Sequence, residues 1–150
     1  MTKRSLSQHK MQHEIPAQLS LGPLEQEILG ILWDHQQISV REIQEVILQD
    51  PSRELTAASI TTVLQRLAKK GWVSRHKQGS VFLWQPLVSR DRAQALQAEE
   101  RLQKFLDIGR NPAVVAAFAD RLDSASFDQL EQLTAQIKAA REAREGGSCT

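Results

Sequence analysis

Residues 56–85, TAASITTVLQRLAKKGWVSRHKQGSVFLWQ, leave few folds open. Ile60, Val63, Leu64 and Leu67 recur at the spacing of one helix face. Thr56 suits the N-cap, where a hydroxyl accepts an N–H that the first turn leaves unsatisfied. Gly71 suits the far end, where a left-handed conformation costs a residue without Cβ little. Two short strands follow, near Trp72–Lys77 and Val81–Gln85. Gln78-Gly79-Ser80 turns between them, with Gly79 free to take positive φ. The chain therefore runs from a two-striped helix straight into a hairpin.

Two helices precede this unit. The first is expected over Pro23–His35, because proline fits the first helical position and Leu24, Ile28, Ile31 and Leu32 share a face. The second follows Ser39, which with Glu42 matches a capping box. Val40, Ile43, Val46 and Ile47 give its apolar face, and Asp50-Pro51-Ser52 ends it. Helix, helix, helix, hairpin within residues 20–87 is the order of a winged helix-turn-helix.

Charge is unevenly placed along that domain. Its seven Asp/Glu all precede Leu55, while five of its seven Lys/Arg follow it. Arg66, Lys69, Lys70, Arg75 and Lys77 fall within residues 66–77, and no acid occurs between Glu54 and Asp91. The whole chain has a net charge of only +1, so a local excess of this kind points to a polyanion. On a helix set into the major groove, the first turns would present the hydroxyls of Ser59, Thr61 and Thr62 to base edges, with Thr56, Ala58 and Gln65 also among the expected DNA-binding residues. Arg66, Lys69 and Lys70 further along, with Arg75, His76 and Lys77 on the wing, would meet phosphates. Taken singly, each cation reads as a solvated surface charge; their conjunction carries the DNA-binding reading.

From residue 88 the chain reads as entirely helical. A helix near Ser89–Ile108 carries Leu96, Leu102, Phe105 and Leu106. Asn111-Pro112 opens a short one with Val114, Val115 and Phe118. Ser126 is expected to cap a last helix bearing Leu130, Leu133 and Ile137, and the end of the chain, REAREGGSCT, to fray. Three slim apolar stripes make a thin interior, and short helices depend on packing for stability. A second copy laid on the same faces buries both sets, so a symmetric homodimer is expected through residues 88–145. The other way to bury them is for these helices to fold back on the winged domain. The fold class is thus mainly α: a winged helix-turn-helix domain over 20–87, then a small helical dimerisation domain, with a flexible tail at 146–150.

Residues 1–19 are polar and aperiodic and read as a disordered arm, mildly basic through Lys3, Arg4 and Lys10. They lack the apolar core of a signal peptide, and no apolar run approaches the ~20 residues that span a bilayer. The one cysteine, Cys149, allows no intramolecular disulfide. These features give a cytoplasmic protein with no membrane partner. His9 and His13 have metal-ligand spacing beside Glu14, but in a disordered arm they hold no fixed geometry. No metal, no cofactor and no enzymatic activity is therefore expected, and no nucleophile–base pair or glycine-rich phosphate loop is present. Trp33, Trp72 and Trp84 read as packing residues rather than as a stacking platform for single-stranded bases.

LGPLEQEILGILW, ISVREI and ITTVLQRLAKKGWVSRHKQGSVFLWQPLV together resemble the BlaI/MecI penicillinase-repressor family. The first helix matches through Leu21, Glu25, Glu27, Ile31, Leu32 and Trp33. The recognition helix and wing match through Arg66-Leu67 and Lys70-Gly71, and the later helices through VVAAF and FDQLEQL. The resemblance spans about residues 20–140. It implies a homodimeric transcriptional repressor on a palindromic operator in double-stranded DNA, with Ser59, Thr61 and Thr62 facing bases. Three departures qualify it. Ala58 and Thr61 stand where staphylococcal members carry basic residues, which implies a different operator. The region matching those members' Asn-Phe cleavage site reads Glu99-Glu100-Arg101-Leu102, against release by proteolysis. A lone Cys149 does not match the cysteine-rich tail of copper-responsive members.

Two other functions fit the same residues less well. A winged helix can serve as a protein-interaction module without binding DNA, but the acid-free basic face speaks against it. An effector-sensing regulator of another winged-helix group would need a ligand pocket, for which the sequence gives no pattern.

Overall fold

The computed structural model describes residues 15–147. The sequence readings for Lys3, Arg4, Lys10, the His9/His13 pair, Glu14 and Cys149 fall outside them. By compactness the chain divides into two units, the first running to Leu102 and the second from Gln103.

The first unit has the expected element order. Helix α1 (Pro23–His35) begins with proline, and Gln36 ends it at φ 65° with its N–H on Leu32 O at 2.7 Å. Helix α2 (Val40–Ile47) opens on a full capping box: Glu42 N–H donates to Ser39 Oγ at 3.2 Å, and Ser39 N–H donates to Glu42 Oε2 at 3.1 Å. Helix α3 (Ala57–Lys70) is capped by Thr56, whose Oγ1 accepts Ser59 N–H at 3.1 Å, and ends at Gly71 with φ 93°. Strands β1 (Val73–Gln78) and β2 (Val81–Pro86) pair antiparallel with Gly79 at φ 64° in the turn.

One sheet contact has no local sequence signal. Ile38, between α1 and α2, exchanges both backbone hydrogen bonds with Trp84, at 3.1 and 2.8 Å. It adds a short third rung beside β2 and fixes the hairpin to the helices.

The core is where the apolar stripes place it. Ile28, Leu29 and Leu32 of α1, Ile43 of α2, and Ile60, Leu64 and Leu67 of α3 are fully buried with Trp72. Two ties set how α3 is carried. Arg53 forms a two-pronged pair with Glu27 of α1, at 3.1 and 2.9 Å, and Gln44 Nε2 of α2 donates to Leu55 O at 3.0 Å. They hold the loop that enters α3 against both earlier helices.

Three expectations are corrected here. Residues 15–19 are not an unattached arm: Pro16 is buried, Leu19 packs on the core, and Gln18 O accepts the Trp72 indole N–H at 2.9 Å. Helix α4 (Arg90–Ile108) does not begin a separate layer at residue 88. Val88, Ala93 and Leu96 are in the first unit's core, and Trp33 Nε1 donates to Val88 O at 2.8 Å. Leu96, expected on the face for a second subunit, is only 5% exposed and so unavailable to one.

The third correction concerns the last helices. In the second unit α5 (Pro112–Arg121) is capped by Asn111, whose Oδ1 accepts Ala113 N–H at 3.0 Å. Helix α6 (Ser124–Gly147) starts earlier than Ser126 and runs through the stretch expected to fray, including Gly146 and Gly147 of the expected tail. Its cap is Asp123, whose carboxylate accepts Ser126 N–H at 2.8 Å. The hydrogen bonds from Ser126 hold this carboxyl below its ordinary range.

Candidate nucleic-acid interface

With Ile60, Val63, Leu64 and Leu67 turned inward, helical geometry turns the opposite side of α3 to solvent. Thr56, Ala58, Ser59, Thr62, Gln65, Arg66 and Lys69 are exposed there, and Thr61 is half-buried at the edge. They form one ridge, with small and hydroxyl-bearing residues first and cations last.

The hydroxyls are already engaged within the helix. Thr61 Oγ1 donates to Ala57 O at 2.9 Å and Thr62 Oγ1 to Ala58 O at 3.0 Å. Ser59 Oγ and Thr56 Oγ1 share a hydrogen bond at 2.9 Å. A threonine whose proton points back along the helix still offers oxygen lone pairs and a methyl group outward.

The cations separate into two kinds. Among the described residues Arg66, Lys69 and Lys77 have no ion pair and are exposed. Lys70, expected among the phosphate contacts, differs in having partners within the fold. Its ammonium lies 2.8 Å from Glu25 Oε2, and it donates to Glu25 Oε1 at 3.0 Å and to Ser20 O at 2.8 Å. Both side chains are largely covered, at 20% and 13% exposure, so the charge is spent inside the fold. Glu25 Oε1 also accepts Gly22 N–H at 3.3 Å, ahead of α1. The cation thus joins the end of α3 to the start of α1.

On the wing, alternation decides the faces. Arg75 is opposite Trp84 and Lys77 opposite Phe82, so these four share one face, while His76 lies on the other beside Leu83. Arg75 and Lys77 are exposed, and His76 is half-buried. The Arg75 guanidinium sits 4.3 Å from the Phe82 ring centre and 5.9 Å from that of Trp84. Stacking of this kind pre-orders a long side chain and leaves its N–H fork available. The sequence reading missed Phe82 and Glu25. Strand alternation could have found the first, since Phe82 and Arg75 fall on one face; nothing local marks the second.

The second unit carries most of the other set of candidate residues. Phe105, Leu106, Val115, Phe118, Leu130, Leu133 and Ile137 are each 40–57% exposed, as is Leu102 at the end of the first unit. Val114 is half-buried. No residue of α5 or α6 is buried. Phe105 and Phe118 meet edge to face at 5.1 Å, beside an open apolar hollow of about 320 Å³.

No helix of the described residues is long and apolar enough to cross a membrane. None of their His, Cys, Asp and Glu side chains gather in a group of three or more fit for a metal ion.

The sequence profile of a family described as "Penicillinase repressor" matches residues 21–139. The chain is 29% identical over 120 residues to the transcriptional regulator BlaI of Mycobacterium tuberculosis, across 79% of this chain and 86% of that protein. It is 26% identical over 121 residues to the penicillinase repressor of Bacillus licheniformis, across 79% and 91%. Among solved structures it resembles the DNA binding domain of the repressor BlaI, at 28% identity and a TM-score of 0.43, over 53% of this chain and 90% of that one.

Proposed function

The chain belongs to the penicillinase repressor family, and on that premise we propose that it is a homodimeric transcriptional repressor that binds a palindromic operator in double-stranded DNA. The observation that carries this reading is the ridge of α3, where exposed Ser59, Thr62 and Gln65 lead into unpaired Arg66 and Lys69. Helix α3 enters the major groove by its N-terminal turns, and Arg66, Lys69, Arg75 and Lys77 bind the flanking phosphates. The hydroxyl-bearing start supplies discrimination between bases; the cationic end and the wing supply affinity.

The dimer rests on the apolar faces of the last three helices. Phe105, Phe118, Leu130, Leu133 and Ile137 are half-exposed in a single chain. Full burial of such a side chain is worth about 1.5–3 kcal/mol, so a second copy on the same faces gains from every one. A two-fold dimer then sets two copies of α3 on half-sites about 34–36 Å apart, one turn of DNA. With about four phosphates neutralised per subunit, the log–log salt slope of binding is roughly −7.

Titration of the purified full chain against its own gene's upstream DNA, with unrelated DNA as competitor, tests this. A specific, salt-sensitive complex of two chains per site supports the reading. Salt-insensitive binding to a protein partner, with none to DNA, would replace it.

A further inference from the structure

We propose that Gln65 is a base-reading residue of α3 and that it selects adenine in the major groove, at one mirrored position of each half-site. This deepens the DNA-binding reading above and rests on it.

The first observation is where Gln65 stands. Buried Ile60, Val63, Leu64 and Leu67 fix which line of α3 faces away from the core. At about 100° per residue, Ala58, Thr62, Gln65 and Lys69 fall within about 30° of that outward line. All four are exposed. Ser59 and Arg66 stand to one side of the line, and half-buried Thr61 to the other. A groove that receives α3 therefore meets this crest at its floor and the flanks at its walls. Ala58 adds only a methyl and lets the helix come close. Lys69 stands at the end of α3, where a helix entering by its N-terminal turns has left the floor. Gln65, one turn before it, has the longest neutral side chain on the crest.

The second is which polar groups are free. Thr62 Oγ1 gives its proton to Ala58 O at 3.0 Å and Thr61 Oγ1 to Ala57 O at 2.9 Å, while Ser59 Oγ shares one with Thr56 Oγ1 at 2.9 Å. The Gln65 amide has no hydrogen-bond partner among the described residues. On the crest it alone offers an uncommitted donor and an uncommitted acceptor in one plane. Thr62 has an acceptor but a committed proton, and Lys69 has donors only.

The third is what such a plane fits. In the major groove adenine sets its N7 acceptor beside its N6 amino donor. Guanine shows two acceptors there, cytosine a donor, and thymine an acceptor with a methyl. The amide matches adenine on both counts, with Nε2 donating to N7 and Oε1 accepting from N6. Against any other base, one half of the amide is left without a partner, which is costly once water is excluded. Gln65 also lies about 4.5 Å of helix rise beyond Thr62. That is close to the ~3.4 Å step between base pairs, so the two side chains address neighbouring pairs.

The test compares the full chain with its Gln65→Met variant, which keeps side-chain length and helix propensity and removes the amide. Each protein selects duplexes from a randomised pool, with thermal melting as the control for folding. The unaltered chain is expected to enrich adenine at one position mirrored across the two half-sites. In Gln65→Met that preference should fall by about 5- to 150-fold, the worth of one bidentate pair. Preferences elsewhere and the salt slope should not change. A duplex with 7-deazaadenine at that position gives a second readout, because it lacks the N7 acceptor alone. It should weaken binding by the unaltered chain and leave binding by Gln65→Met as it was. If the variant enriches the same base there as strongly, Gln65 reads nothing and the proposal is overturned. A uniform loss of affinity with every preference intact overturns it too, as the mark of a phosphate contact. A preference lost at a G·C pair overturns adenine as the base read. If the unaltered chain itself binds no DNA, the DNA-binding reading fails first, and Gln65 fails with it.

Discussion

Lys70 at the end of α3 is paired to Glu25 at the start of α1, with its ammonium 2.8 Å from one carboxylate oxygen and 3.0 Å from the other. Beside cations that have no ion pair among the described residues, one is thus a structural tie. It acts across 45 residues of sequence and joins the end of α3 to the start of α1.

Lys70→Ala should therefore behave as a stability variant. Loss of a part-buried, charge-assisted contact costs about 2 kcal/mol, read as a lower midpoint in urea at unchanged m value. Its salt slope for DNA should match that of the unaltered protein. A slope shallower by about 0.9 per subunit at full stability would instead make Lys70 a phosphate ligand.

Gly71 is constrained twice, by φ of 93° and by Pro16 at 3.3 Å from a virtual Cβ. Gly71→Ala should lose at least ~1 kcal/mol, since a left-handed residue with a Cβ costs roughly 1–2 kcal/mol before any steric conflict. Gly79→Ala is the comparison: it has positive φ but open space around it, and should cost less. Denaturant melts of the two variants check the order.

Much of this fold could be read from local signals. Pro23, the Ser39/Glu42 box, Thr56 and Gly71 mark helix ends through chemistry within one turn, and the structure has them in those roles. The inward stripe of α3 followed from spacing alone. What escaped notice depends on distant partners. The pairing of Lys70 with Glu25, the strap of Pro16 on Gly71 and the bridge from Ile38 to Trp84 each join residues that no periodic pattern links. Leu96 escaped for a related reason: its spacing gives a helix face but not which neighbour covers that face. On the candidate surface of α3, the order of hydroxyls before cations was legible, whereas the division of the cations into those without an ion pair among the described residues and the tied Lys70 was not.

Thr62 should affect base preference more than affinity. Thr62 is exposed and its hydroxyl donates to Ala58 O, which leaves the oxygen free to accept from a base amino group while its methyl meets an apolar one. Thr62→Ala should relax discrimination at one position of each half-site by about 1 kcal/mol, with an unchanged salt slope. Binding-site selection from a randomised pool reads this directly. Identical preferred sites for the two proteins would remove Thr62 from readout.

Phe118, 40% exposed and edge to face with Phe105, lies in the apolar face assigned to the second copy. Phe118→Glu would place a charge there that has no partner and should dissociate the dimer. Sedimentation should show monomers at concentrations where the unaltered chain is dimeric, with the far-ultraviolet spectrum unchanged. A monomeric unaltered chain would contradict the dimer itself.

The central claim is that the exposed ridge of α3 and its wing bind DNA phosphates and bases. The measurement that tests it most directly compares the full chain with its Arg66→Ala, Lys69→Ala, Lys77→Ala triple variant on the gene's own upstream DNA across a salt series. These three cations carry no ion pair among the described residues, so the variant should melt as the unaltered protein does. The account predicts a salt slope shallower by about 2–3 per subunit and weaker binding to every sequence tested. Equal affinity and equal slope for the two proteins would contradict it.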